Sequence, residues 1–429
     1  MRIGKETGDA PATVSPCEAP STSRKSAKIH YAYVIVACCC LMMGINVGLS
    51  FSCAGIFYQP VSSALGVPVG EFGIYMSVMY VTSSLMLPLA GRMLERYSAR
   101  MLFGVNSAVM GLIFIAMSLF HNVWEFYVAG ALMGVTLSFL LYLSFPTMVN
   151  RWFHSKVGLM IGICSAASGI GGMLFNPIAG RIITEWGWRR GYAVFGLICL
   201  CVVAPLLWIL LRDHPSDKGL QPYGAGESCG EKKAAGGAVT SGMTYAAAMK
   251  SPLFYALILF AFLMMGISTL NLFIPGYVTA HSFTLEQASL TAAMVMAGVT
   301  LGKLVLGWVN DHNCALGVVL TTGCGIGGLA FLLTGAGALW LILGGAFLFG
   351  WAYAGVTVQT AMLTRSVFGQ RDYSRIYSII SIALAGGGAI ASGGWGLLAD
   401  AAGTPVTFIC GIAGLLLCLL IGLVSLRRS

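Results

Sequence analysis

The chain has 429 residues, of which 57% are hydrophobic and only 9% charged. Soluble domains carry roughly 25% charged residues, so this composition excludes a water-soluble fold and describes a protein that crosses the membrane several times. The net charge of +9 does not signal nucleic acid, since no basic helix, zinc knuckle or arginine–glycine tract accompanies it. Thirteen cysteines lie mostly within apolar runs and include no Cys-x-x-Cys pair. Neighbours such as Cys38, Cys39 and Cys40 point about 100° apart on a helix, so no metal site is expected.

Residues 1–29 are rich in Ser, Thr, Pro and Ala and read as a flexible cytoplasmic tail. They are not a cleavable signal, because the apolar run that follows exceeds the about 7–15 residues of a signal core. Apolar segments follow at 31–57, 72–91, 99–120, 124–148, 157–183 and 190–211, within a first half at 30–211. A polar linker at 212–250 is expected on the cytoplasmic side. Six more segments come at 252–276, 286–309, 314–334, 338–363, 374–399 and 405–426, within a second half at 251–429 that ends in a short cytoplasmic tail. Each approaches or exceeds the about 20 residues a helical span requires. The expected fold is an all-α membrane protein with twelve transmembrane helices in two six-helix halves.

Charge sets the expected orientation. With a cytoplasmic N-terminus, all but four of the 24 lysines and arginines fall inside. Arg181, Arg189 and Arg190 fall outside, and Lys303 lies within a span. Both termini are therefore expected in the cytoplasm, and the positive side explains the net charge without a polyanionic partner. The halves also repeat. Leu41-Met-Met-Gly-Ile45 recurs as Leu263-Met-Met-Gly-Ile267, Gly91 with Glu95 and Arg96 recurs as Gly307 with Asp311 and His312, and Gly134 recurs as Gly350, at offsets of 222, 216 and 216. Halves of the same order and orientation are parallel repeats about an axis along the membrane normal.

The stretch Gly91-Arg-Met-Leu-Glu95-Arg96-Tyr-Ser-Ala-Arg100 resembles the G-x-x-x-D-R-x-G-R-R loop of the major facilitator superfamily, with Glu for Asp and Ser98 at the second Gly. The resemblance covers residues 30–427. Asn150-Arg-Trp-Phe153 before a glycine-rich fifth span, Gly187-Trp-Arg189, and Arg212-Asp-His-Pro215 through Gly224 are similar to the bacterial monocarboxylate-porter and oxalate–formate antiporter branch. The resemblance implies a secondary transporter of the inner membrane that works by alternating access, with spans 1, 4, 7 and 10 lining the path, helped by 2, 5, 8 and 11. Polar residues on those spans are the candidate substrate ligands: Asn46 and Ser50, Ser138 and Tyr142, Ser268 and Asn271, and Tyr353, Thr357 and Thr360 with Gln359 beside them. Asn46 and Asn271 are favoured, coming from related parts of the two halves. Interhelical bonding is the alternative use of each. Gly91, Glu95, Arg96 and Arg100, with Gly307 and Asp311 in the second copy, are the expected gate; single exposed ion pairs are worth up to about 1 kcal/mol, which suits a latch that opens.

Lys303 stands inside Gly298-Val-Thr-Leu-Gly-Lys303-Leu-Val-Leu-Gly307. Insertion of such a charge costs about 2.5–3.5 kcal/mol or more, so a functional use is expected. It either binds the substrate's negative charge, in a place where the resembling branch commonly has an arginine, or extends its head toward the interface and Asp311. One buried cation suits a monoanion better than a dianion. A small monocarboxylate is expected, with oxalate–formate exchange, a sulfonate or another small polar solute as alternatives. No acid stands near mid-span, which leaves proton symport and exchange with a counter-substrate both open. Gly298 to Lys303 fails the P-loop spacing, and no G-x-S-x-G or H-E-x-x-H is present, so neither ATP-driven pumping nor an enzyme is expected, and no cofactor. The expected partners are the anion and the bilayer, around a monomer. A non-transporting membrane sensor is the remote alternative.

Overall fold

The computed structural model describes residues 30–154, 156–224, 242–335, 337–369 and 371–427. The stretch read as an N-terminal tail and the middle of the linker lie outside the described residues. Among the described residues, twelve helices are long and apolar enough to cross a membrane. They are α1 (Tyr31–Leu65), α2 (Val69–Arg96), α3 (Ala99–Met117), α4 (Val123–Trp152), α5 (Val157–Trp186), α6 (Trp188–Leu210), α7 (Pro252–Leu272), α8 (Leu285–His312), α9 (Cys314–Thr334), α10 (Leu339–Phe368), α11 (Arg375–Ala402) and α12 (Thr404–Arg427).

All twelve expected spans are present, but several helices run past the membrane-length segments. The stretch from Gly91 to Arg96 is the last turn and a half of α2 rather than a loop. Arg, Met, Leu and Glu are good helix formers, so nothing halts the helix before Tyr97. Only Tyr97 and Ser98 connect α2 to α3, and Ser98 Oγ caps α3 by accepting from the Met101 N–H. Asp311 and His312 likewise end α8 as helix.

The sequence repeat is a repeat of packing. Gly44 on α1 abuts Ala167 and Gly171 of α5, and Gly266 on α7 lies against Gly387 and Ala391 of α11. Gly134 on α4 touches Met79 and Ser83 of α2, and Gly350 on α10 touches Val295 and Gly298 of α8. A Cβ at Gly134, Gly171 or Gly350 would collide with neighbouring backbone, so these glycines set how closely the helices approach. The middle of α1, Met43–Ser52, is wound as a π-helix, and the close approach of Gly44 and Gly48 to Gly171 falls in this widened segment. Span 7 loosens differently: a 3-10 turn at Thr269–Leu272 precedes a short helix, Ile274–Ala280.

The two halves meet along two antiparallel helix pairs and where the end of α1 packs on span 7, with Gly55 against Leu272. Down α5 and up α8, Gly180 faces Ser289, Gly172 faces Met296 and Gly169 faces Thr300. The next step brings Ser165 to Lys303. Along α2 and α11, Gly70 lies against Gly396, Ser77 Oγ is 2.8 Å from Ser392 Oγ, and Tyr80 covers Gly388. Beyond these points contact ends. Gly158 and Gly162 on α5, Gly307 on α8 and Gly91 on α2 each have open space within 4 Å of where a Cβ would stand. The halves are thus sealed at the face opposite the chain ends and parted at the face where Tyr31 begins and Arg427 ends.

The ends of the linker are docked. The Tyr223 N–H donates to the Trp152 carbonyl at 2.8 Å and its carbonyl accepts from the His154 N–H at 2.9 Å, while its ring packs among His30, Tyr33 and Phe153. Asp213 accepts from the Arg100 N–H at 2.8 Å, at the start of α3. At the other end the Met243 N–H donates to the Phe368 carbonyl at 2.9 Å, and Asp372 accepts from the Tyr245 N–H at 2.7 Å. Phe153 and Gly369 are equivalent by the repeat, and each forms a β-bridge with the linker. Tyr223→Ala is expected to lower stability by about 1–3 kcal/mol through the lost ring contacts, with Tyr223→Phe near wild type. Thermal unfolding of the purified protein checks this.

Candidate functional site

Between the parted halves lies a cavity of about 490 Å³. Its walls come from both halves, and the repeated Leu-Met-Met-Gly-Ile string contributes equivalent residues, Met43 from α1 and Met265 from α7. Phe51, Tyr80, Leu141 and Phe145 extend the wall in the first half; Met296, Val299, Tyr353 and Thr357 extend it in the second. Lys303 is the one charged residue among the described residues that line it, and no Asp or Glu does.

Lys303 reaches the cavity because α8 turns this face toward α5. It is partly buried, and Nζ donates to the Ser165 carbonyl at 3.2 Å and to Ser165 Oγ at 3.3 Å. The ammonium therefore sits where contact between the halves gives way to open space. It does not reach for Asp311, which is exposed at the helix end. Two of three N–H groups are engaged by neutral acceptors, and the charge has no counter-ion on the described wall. An ammonium in that position favours an anion placed beside it, because attraction strengthens as water is displaced.

Of the other candidate ligands, Tyr353 lies on the cavity wall. Asn46 is fully buried inside the first half, where its Nδ2 donates to Ser107 Oγ at 3.1 Å and its Oδ1 accepts from the same hydroxyl at 3.2 Å. Ser50 donates to the Asn46 carbonyl at 2.6 Å. Asn271 is buried in the 3-10 turn of span 7. Gln359 is fully buried and donates to the Cys314 carbonyl at 3.4 Å. These four are not among the residues lining the cavity. The side chain of Tyr142 lies outside the described residues. Sequence spacing placed polar pairs on one face of a helix, but it did not say whether that face met a neighbouring helix or the open space. Ser165 and Ser168 also line the cavity, and their one sequence signal is two serines three residues apart on the glycine-rich fifth span.

The gate candidates lie at the open face. Gly91 and Gly307 border empty space, and Glu95, Arg96, Arg100 and Asp311 are exposed. An arginine not singled out as a gate residue, Arg151 at the end of α4, donates to the Leu94 carbonyl at 3.4 Å and ties α4 to the end of α2. At the closed face Asp400 on α11 accepts from the Gly70 N–H at 2.8 Å, across the two halves and at the start of α2. The Tyr58 and Phe273 rings cross edge to face beside it, 5.6 Å apart. A carboxylate at a helix N-terminus is worth about 0.3–1 kcal/mol. Asp400→Ala is expected to loosen this seal, raising labelling of a cysteine placed at Ser77 by a thiol reagent added on that face. Unchanged labelling would show that the seal does not depend on Asp400.

The described residues thus form twelve membrane-length helices in two repeated halves around a central cavity open at one face. The chain belongs to the Major Facilitator Superfamily, whose model matches residues 40–319 and 256–429. A membrane sensor protein of Salmonella typhimurium, UhpC, is 25% identical over 158 residues, 36% of this chain and 35% of its own. A probable transporter of Saccharomyces cerevisiae, MCH2, is 23% identical over 272 residues, 63% of this chain and 48% of its own. The riboflavin transporter RibJ of Trypanosoma brucei brucei is 26% identical over 212 residues, 46% and 37% of the two chains. The chain thus spans between a third and a half of the lengths of these relatives. Among solved structures, a bacterial homologue of the human lysosomal transporter Spinster, inward-facing and occupied, matches with a TM-score of 0.72 at 12% identity, covering 94% of this chain and 98% of that one. The nucleoside transporter NupG matches with a TM-score of 0.72 at 10% identity, covering 91% and 99%. These likenesses establish the fold.

Proposed function

We propose that the protein is a secondary transporter of an organic monoanion, most readily a monocarboxylate, across the inner membrane. The observation that carries this is the cavity's charge: one ammonium and no acid on the described wall. Lys303 receives the anionic group, Tyr353 helps to position it, and Ser165 holds the ammonium between substrates. A dianion would leave one charge unbalanced at low dielectric, which is costly.

The bias of lysine and arginine supports a cytoplasmic placement of the face bearing the chain ends. On that reading the parted halves are an inward-open state. Substrate passes by rocking of the halves, with Gly91, Glu95, Arg96 and Arg100 and their second-half counterparts Gly307 and Asp311 coming together when the cytoplasmic mouth closes. With no acid on the described wall to carry a proton, exchange for a second anion is the simplest coupling, because it keeps Lys303 neutralised through the crossing. A sulfonate fits the same site.

The relation to a membrane sensor protein supports a second reading, in which the cavity binds its anion without passing it. Proteoliposomes separate the two. Saturable uptake of a labelled monocarboxylate, accelerated by the same acid trapped inside, is the expected result. Binding without uptake would replace the carrier with a sensor.

A further inference from the structure

The cavity offers one charged anchor in a mostly apolar lining. Five of its ten hydroxyl-bearing residues direct their donors to their own helices. Ser168 donates to the Ser165 carbonyl at 2.9 Å, Ser84 to Tyr80 at 2.9 Å, Ser381 to Tyr377 at 2.9 Å and Ser378 to Arg375 at 2.8 Å, each a carbonyl of its own helix. Thr357 turns toward the Ala354 carbonyl at 3.4 Å in the same way. Hydroxyls turned inward like this present few donors to a solute. Sugars and phosphates, whose recognition calls for many donors, are poorly served. The first half sets Met43, Val47, Phe51, Leu87, Leu141 and Phe145 around the same space. Two methionines at equivalent places, Met43 and Met265, add polarizable side chains that conform to varied apolar shapes.

We propose that the substrate is an amphipathic monoanion: a carboxylate or sulfonate on a medium-length alkyl chain or a single aromatic ring. Its head lies on Lys303 and its body against Leu141 and Phe145. This rests on the reading that Lys303 receives the substrate's charge, and it narrows the small monocarboxylate that the sequence suggested to a larger and more apolar one. Affinity then comes from two separable parts. The head contributes a constant amount, and each buried methylene makes binding about three- to fourfold tighter.

The test is calorimetric titration of the whole protein in nanodiscs, with empty nanodiscs subtracted, using acetate, butanoate, hexanoate, phenylacetate, hexanesulfonate and the neutral hexanamide. The expected result is affinity that climbs three- to fourfold per methylene from acetate to hexanoate, with phenylacetate and hexanesulfonate near hexanoate and hexanamide at least 30-fold weaker. Leu141→Ser and Phe145→Ser are expected to flatten the climb from acetate to hexanoate. Lys303→Gln is expected to bring hexanoate down to the level of hexanamide, and Lys303→Arg to restore it. Acetate binding as tightly as hexanoate, still dependent on Lys303, would overturn the amphipathic class and leave the anion carrier standing. Hexanamide binding as tightly as hexanoate, with no effect of Lys303→Gln, would overturn the anion site itself.

Discussion

Leucine at both Gly162 and Gly307 is expected to stop transport while leaving substrate binding from the open face intact. The reason lies in the register of α5 and α8. Contacts descend α5 as they ascend α8, from Gly180 and Ser289, through Gly172 and Met296, to Gly169 and Thr300, and then to Ser165 and Lys303. One further turn on each helix reaches Gly162 and Gly307, where the helices have separated and each glycine faces open space. In the proposed alternating-access cycle, closing the mouth would continue the zipper by that turn, with bare glycine surface letting the backbones approach. Overpacking costs about 1–3 kcal/mol per site, so two leucines shift the closed state by about 30-fold or more. Uptake in proteoliposomes measures the loss. In the converse test, cysteines at the same two positions are expected to cross-link with a short bifunctional reagent only when substrate drives turnover. A double-leucine variant that transports at the wild-type rate would show that the mouth closes along another surface.

Lys303→Gln is expected to lower kcat/KM for the transported anion by about 30- to 1000-fold. Removing one partner of a desolvated charge pair costs about 2–4 kcal/mol, and each 1.4 kcal/mol is tenfold. Glutamine is one atom shorter than lysine and keeps an amide donor but loses the charge. Lys303→Arg is expected to keep more than a tenth of the activity, with the guanidinium fork supplying the same charge at a different geometry. A Ser165→Ala variant separates the two engagements of the ammonium. It removes one acceptor at 3.3 Å and leaves the carbonyl at 3.2 Å, so it is expected to change substrate affinity less than threefold.

Much of the fold was legible in the sequence because membranes impose length and polarity on every span. The twelve segments correspond to helices among the described residues, and the landmark glycines of the repeat fall at equivalent helix contacts. The repeat carried more than topology: Gly134 and Gly350 make equivalent helix contacts, and Met43 and Met265 line the cavity from equivalent positions. The site was less legible. Lys303 stood out because a charge among apolar neighbours is rare. Asn46 and Gln359 also stood out as polar, yet each is bonded to a neighbouring helix away from the cavity. Period alone cannot tell a helix face turned to the cavity from one turned to another helix, since both are buried from lipid. The π-helical stretch of α1 compounds this, because it shifts the face on which residues after Met43 emerge. The docked linker was hidden for a different reason. Tyr223 and Asp213 read as loop residues, and their partners, Trp152, His154 and Arg100, are distant in the chain.

The central claim is that the charge of Lys303 makes this cavity a monoanion site. Its most direct test is equilibrium binding of one labelled monocarboxylate to the purified wild type, Lys303→Gln and Lys303→Arg, with folding of each checked by thermal unfolding. The expected result is saturable binding in the wild type and the arginine variant, displaced by other monoanions, and a loss of at least 30-fold in the glutamine variant. Equal binding by the folded wild type and glutamine variant would contradict it.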